Sequence, residues 1–209
     1  MKAIEIEKKV SLEPHQIQKI ARIGHLLSET RIDDRYFDTA DYHYTTQNIW
    51  LRQRGEAFEL KVGIKKQNGS IDRYEEITDK KCILEYLGAD IDGDLPLACS
   101  QKGLSPFCSF VTHRKSYKLD ELKIDIDEAD FGDLRYQVAE IEIVVSDLEK
   151  MQEAEEKIMQ FIKELGIDVS IPVPAKLTYY LYCKRPDHYQ ALVEHKVIPP
   201  IITGYIQSI

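Results

Sequence analysis

Charged side chains recur at every second position along several short stretches of this chain. Glu5 and Glu7 are followed by Lys9, Arg52 by Arg54, Glu59 by Lys61, Asp125 by Asp127, and Glu140 by Glu142. A spacing of two puts the members of each set on one face of an extended strand, because successive side chains alternate. The other face is apolar: Ile4 and Ile6, Ile49 and Leu51, Phe58 and Leu60, Ile124 and Ile126, Ile141 and Ile143. An antiparallel sheet with one face in water alternates in the same way. Blocks of one sign ask for more, since like charges side by side repel and need a neutralising partner. The acidic blocks call for cations and the Arg52/Arg54 block for an anion. Together they suit a polyphosphate bound with a divalent metal. Mg²⁺ or Mn²⁺ takes oxygen ligands, and guanidinium forks grip phosphate oxygens in pairs. Two geometries stay open: an open sheet with a wet face, or a closed eight-stranded barrel, charged inside and apolar outside.

The elements that must carry these residues can be read from the same periodicity. Strands are predicted over residues 2–10, 32–38, 48–54, 57–64, 71–78, 110–119, 122–127 and 136–145. Asn68-Gly69 is a hairpin turn between the fourth and fifth. Ser11 and Pro14 open a helix whose apolar positions are Ile17, Ile20, Ala21, Ile23, Leu26 and Leu27. A short helix over 80–87 ends at Gly88, and the rest of the segment to residue 106 reads as loop. Ser146-Asp147-Leu148-Glu149 has the form of a capping box for a helix running to Leu165, with Gly166 as its stop. Residues 175–183 and 187–195 are predicted helical. Strands in the middle with helices at the ends argue an α+β domain on a mostly antiparallel sheet or barrel. One domain over 1–198 is expected, with 199–209 as a loose tail.

Composition narrows the function. The chain has 209 residues and a formal net charge of −8, which suits neither nucleic acid nor an anionic membrane as partner. No apolar run approaches the ~18 residues of a membrane span, and the first residues lack an apolar signal core. Cys82, Cys99, Cys108 and Cys183 have no C-x-x-C spacing. A cytoplasmic protein with reduced thiols is expected. The six histidines have no metal-ligand spacing and are read as solvated or capping residues. Tyr179, Tyr180, Tyr182 and Tyr189 are read as helix packing. There is no glycine-rich phosphate loop, which argues against a P-loop or dinucleotide-binding enzyme.

The ordered motifs resemble a known family. Glu5-x-Glu7-x-Lys9 resembles the opening signature of the CYTH, or triphosphate tunnel metalloenzyme, superfamily. It is followed by Asp34-Arg35-Tyr36-Phe37-Asp38-Thr39, Trp50-Leu51-Arg52-Gln53-Arg54, Phe58-Glu59-Leu60-Lys61 and Val111-Thr112-His113-Arg114. Further on come Asp125-Ile126-Asp127-Glu128-Ala129-Asp130-Phe131-Gly132, Ala139-Glu140-Ile141-Glu142 and Pro174-Ala175-Lys176-Leu177. Trp50 before the Arg-x-Arg pair, and Arg185-Pro186-Asp187-His188-Tyr189 near the end, resemble the thiamine triphosphatases in particular.

The resemblance implies an eight-stranded antiparallel β-barrel, the triphosphate tunnel, with flanking helices. It implies metal-dependent hydrolysis of thiamine triphosphate to thiamine diphosphate and phosphate, with Mg²⁺ as cofactor and Mn²⁺ as an alternative. Glu5, Glu7, Asp125, Glu140 and Glu142 would hold the metal or its waters, with Asp127 a further candidate on the same face. Arg52, Arg54, Lys61, Arg114 and Lys176 would bind the triphosphate. Lys9 would lie beside them and help orient water, so that Lys9, Glu5 and Glu7 form the catalytic set. Trp50 would stack on the thiamine rings. Tyr36 and Glu76 rank lower, because strand parity at Glu75/Glu76 is open. The expected partner is a small-molecule triphosphate, with no nucleic acid and no membrane, and the expected state is a monomer. An inorganic triphosphatase, a class IV adenylate cyclase and a non-catalytic phosphate-binding module are the competing readings. Trp50 argues against the first, because inorganic triphosphate has no ring to stack on.

Overall fold

Strands that are apolar on one face and charged on the other can bury both faces if the sheet curls shut. In the computed structural model, which describes residues 3–64, 71–90 and 92–201, the chain does this. Eight strands form: β1 (Ala3–Val10), β2 (His25–Asp38), β3 (Ile49–Arg54), β4 (Ala57–Gly63), β5 (Asp72–Ile77), β6 (Ser105–Leu119), β7 (Leu122–Asp130) and β8 (Arg135–Val145). Their order around the ring is β1-β5-β4-β3-β2-β6-β7-β8, and the β1–β8 pairing closes it. Every pairing is antiparallel. Of the two geometries the sequence left open, the closed one is observed.

The apolar faces point outward and are roofed by helices. α1 (Pro14–Ile23) and α4 (Met151–Glu164) cover β1, β7 and β8, packing Ile20, Ile158, Phe161 and Ile162 against Ile6, Ile124 and Ile141. α2 (Lys80–Tyr86) and α3 (Leu95–Gln101) cover Leu51, Phe58 and Leu60. α5 (Lys176–Lys184) and α6 (Pro186–Glu194) close a third cluster around Leu177, Leu181 and Leu192. Each fully buried Leu or Ile contributes roughly 1.5–3 kcal/mol. Among the described residues no helix is long and apolar enough to cross a membrane.

Several boundaries differ from the sequence reading. The first helix stops at Ile23 because Gly24, whose N–H makes the last helical bond to Ile20 O at 2.8 Å, takes an extended conformation. Leu26 and Leu27, expected on that helix, instead lie exposed on β2, which starts at His25 and pairs with β6 along its length. α3 lies where a loop was expected; the Asp94 side chain accepts from Leu97 N, and Pro96 sits in the first turn. Asp147, not Ser146, caps the segment leading into α4, accepting from Glu149 N. The Asn68-Gly69 turn lies outside the described residues. Tyr179 stacks on Tyr136 with ring centroids 4.2 Å apart, and Tyr182 meets Tyr189 edge-on, so this cluster is packing as expected. His188 departs from its expected solvated or capping role. It is fully buried, stacked on Tyr42, with Nε2 2.7 Å from Thr45 Oγ1. It thereby ties α6 to the short 3-10 turn Thr45–Gln47 that precedes β3.

Candidate active site

The charged faces line the interior of the ring. Ion pairs that skip a strand show this, since only the lumen connects non-neighbours. Lys61 on β4 reaches Glu5 on β1 past β5, and Arg114 on β6 reaches Glu140 on β8 past β7. Among the described residues, the interior ion pairs join ten carboxylates to seven cations. The acids are Glu5, Glu7, Asp34, Glu59, Asp72, Glu76, Asp125, Asp127, Glu140 and Glu142; the bases are Lys9, Arg52, Arg54, Lys61, Arg114, Lys123 and Lys176. This excess of acid in a closed space favours a bound cation.

The acid is concentrated at one place. Glu5 and Glu7 on β1 and Glu142 on β8 each present a carboxylate oxygen, and these oxygens lie within 4.8 Å of one another. Burial, then the nearby Glu5 charge, pushes Glu142 up to about 8. Burial raises Glu7. Burial also acts upward on Glu5, but Lys61 and a hydrogen bond with Glu142 outweigh it and hold Glu5 at about 2. Three hard oxygen donors in this arrangement fit Mg²⁺ or Mn²⁺.

The other expected acidic residues stand apart from this triad and anchor cations. Asp125 is fully buried and accepts from Ser116 Oγ at 2.6 Å, Lys123 Nζ at 2.8 Å and Arg114. Asp127 accepts from Arg114 Nε at 2.7 Å and Nη2 at 2.6 Å, and from Lys176. Glu140 accepts from Arg114 at 2.9 Å and Lys176 at 3.1 Å. Burial works against the Glu140 proton balance, yet Lys176 and Arg114 hold its carboxyl well below the usual range.

The expected phosphate-binding residues separate into two groups. Lys9, Arg52, Lys61 and Lys176 line one cavity of about 490 Å³, together with Glu7 and Glu140. Arg54 and Arg114 do not line it. Arg54 sits at the end of β3 and donates twice to Asp34, at 2.8 and 3.0 Å. Lys9 donates to Glu7 and, at 3.2 Å, to Asp72. Burial disfavours the Lys9 ammonium, but Glu7 and Asp72 hold its pKa well above the ordinary value, so it stays charged. Arg52 donates to Glu59 at 2.7 Å and reaches the Tyr36 hydroxyl at 3.4 Å. The register resolves the open parity on β5: Glu76 stands opposite Lys61 and lies 3.6 Å from Arg52. The sequence reading missed Lys123, which bridges Asp125 and Glu142 at 2.8 and 2.9 Å. Its position two residues before Asp125 was the available signal.

Part of the cavity lining, which we name its mouth, is of another character. Trp50, Tyr36, Pro172–Pro174, Leu177 and Val197–Ile201 line it. The Trp50 indole is fixed by Nε1 donating to Asn48 Oδ1 at 2.8 Å. Asn48 adopts a left-handed conformation (φ 61°), which Asn tolerates well. Its amide fills the space a side chain at position 63 would need: a Cβ on Gly63 would stand 1.7 Å from Asn48 Nδ2.

Proteins of known kind are similar to this chain. The thiamine-triphosphatase of Macaca fascicularis is 34% identical over 210 residues, covering 91% of this chain and 90% of that protein. The thiamine-triphosphatase of Homo sapiens is 33% identical over 213 residues, with the same coverage. A Pyrococcus horikoshii OT3 structure superposes with a TM-score of 0.54 at 19% identity, covering 78% of this chain and 91% of that one, and shares the fold. The CYTH domain profile matches residues 3–170, which span all eight strands of the ring. With its charged faces turned into a closed eight-stranded ring, this chain belongs to the CYTH domain family.

Proposed function

We propose that the chain hydrolyses the terminal phosphoanhydride of thiamine triphosphate, giving thiamine diphosphate and phosphate, with a divalent metal. The observation that carries the reading is one cavity with two kinds of lining: Lys9, Arg52, Lys61 and Lys176 beside Glu7 of the carboxylate triad, and an apolar mouth that presents an indole. A triphosphate near neutral pH carries three to four negative charges, so nothing anionic attacks it until they are matched. Arg52, Lys61 and Lys176 exchange their carboxylate partners for phosphate oxygens and hold the chain in line. Held by Glu5, Glu7 and Glu142, Mg²⁺ or Mn²⁺ would supply positive charge to the phosphate oxygens and acidify water. Lys9 remains protonated, so it orients water and phosphate by donating and takes no proton. The oxygen of water joins the terminal phosphorus, the bond to the bridging oxygen breaks, and the proton released has tunnel carboxylates within reach. At the mouth, the Trp50 face would attract the cationic thiazolium, worth ~0.5–2 kcal/mol beyond burial.

The test compares kcat/KM for thiamine triphosphate, inorganic triphosphate and ATP, with Mg²⁺, with Mn²⁺ and with excess EDTA. Thiamine triphosphate should be preferred and EDTA should abolish turnover. Preference for inorganic triphosphate would overturn the substrate, and full turnover in EDTA would overturn the metal.

A further inference from the structure

The charged floor and the apolar mouth come from different parts of the chain. Every charged residue of the floor except Lys176 lies within residues 3–170, the stretch that matches the CYTH domain. Much of the mouth comes from beyond it. Val197, Ile198, Pro199, Pro200 and Ile201 form five consecutive uncharged residues that line the same cavity as Arg52, Lys61 and Trp50.

This segment is fastened at both ends. Lys196 turns left-handed (φ 59°) to leave α6, and Val197 donates its N–H to Leu192 O at 2.9 Å. Val197 and Ile198 pack on the cluster of Leu177, Leu181 and Leu192. At the other end Ile201 donates its N–H to the Tyr189 hydroxyl at 2.7 Å. Between them, Pro199 and Pro200 have fixed φ and no N–H, so the backbone there is stiff and leaves no donor to be satisfied. The result is an apolar surface held in place over a tunnel of charge. Such a surface gives nothing to a bare triphosphate, whose oxygens lose hydration against it. It gives contact area to a substrate with an organic group beyond its phosphates.

We propose that residues 197–201 are a fixed wall of the substrate site, which selects triphosphates carrying a flat organic group over inorganic triphosphate. The inference rests on the reading of the cavity as a triphosphate site and names the part of the chain that sets its selectivity.

Three variants test it: a chain ending at Lys196, a chain ending at Ile201, and the double substitution Pro199→Gly/Pro200→Gly, which keeps the segment but loosens it. Each is assayed with thiamine triphosphate and inorganic triphosphate. Each is also titrated with thiamine diphosphate by the fluorescence of Trp50, the sole tryptophan. The chain ending at Lys196 should lose tenfold or more in kcat/KM for thiamine triphosphate and in affinity for thiamine diphosphate, while inorganic triphosphate changes less than threefold. The glycine pair should shift both in the same direction by a smaller factor, and it carries the test if the shorter chain does not fold. The chain ending at Ile201 should keep the full preference. Equal losses on both substrates, unchanged selectivity in the first and third variants, or lost selectivity in the chain ending at Ile201 would each overturn the wall. If the intact chain itself has no preference for the thiamine compound, the substrate reading falls, and that outcome is distinct from intact selectivity that survives removal of the segment.

Discussion

Gly63→Ala probes the aim of the Trp50 indole without touching the substrate pocket. The new Cβ would stand 1.7 Å from Asn48 Nδ2 and 2.3 Å from its Cγ, far inside contact, so the Asn48 side chain has to leave. The indole N–H then loses its acceptor, which lies at 2.8 Å. That hydrogen bond is worth about 1 kcal/mol, and a free indole gives up part of the ~0.5–2 kcal/mol available from stacking on a cation. A loss of about 1–2 kcal/mol is a fall of roughly five- to thirtyfold in kcat/KM for thiamine triphosphate. Inorganic triphosphate should stay within about twofold. Asn48→Gly removes the same acceptor and keeps the left-handed backbone, so it should produce a similar loss. On that background Gly63→Ala has nothing left to displace, and the two effects should not add. Trp50 emission should shift to the red in all three variants. Additive losses, or equal losses on both substrates, would refute the reasoning.

Glu142, held near pH 8 by burial and Glu5, is mostly protonated at pH 7 without metal. Glu142→Gln copies that form, so urea stability at pH 7 without metal should hardly change while metal-supported kcat/KM falls about a hundredfold. A large stability loss would contradict a protonated Glu142 in the metal-free triad. Asp125→Asn removes the fully buried charge that Arg114 and Lys123 share and should lower unfolding free energy by about 3 kcal/mol, read by urea titration. His188 is neutral when folded, with its pKa pressed down to about 4 by burial against an ordinary value of 6.5. Between those values the unfolded chain takes up a proton that the native chain refuses. The stability is therefore present above pH 6.5 and is lost as pH falls toward 4, by about 3 kcal/mol. His188→Phe should remove this slope from stability measured across that range; an unchanged slope would place it elsewhere.

The alternation of Ile4-Glu5-Ile6-Glu7 and its counterparts is a local property, since a strand repeats every two residues wherever it lies. It was enough to place eight strands and the face of most charges, though not that of Glu75 and Glu76, whose parity only the pairing with β4 settled. The ends of elements were less legible. Leu26 and Leu27 suit a helix face by spacing, but pairing of β2 with β6 drew them into a strand, and no local signal reports that the partner of Leu26 is Tyr117. Which charge meets which was decided by the ring order. Glu142 joins Glu5 and Glu7 because β8 lies beside β1. Asp125, of the same type and spacing, is taken up by Arg114, Ser116 and Lys123 instead. Residue type and parity assign a side chain to the lumen; its neighbours there depend on closure, register and the reach of side chains across the tunnel. The apolar mouth shows the same division. Nothing in the pattern Val197-Ile198-Pro199-Pro200-Ile201 announces a binding wall, and from residue 199 onward the sequence reads alone as a tail. It lines the cavity because α6, tied by His188 to Thr45, ends at that side of the mouth, and because the Tyr189 hydroxyl holds Ile201 there.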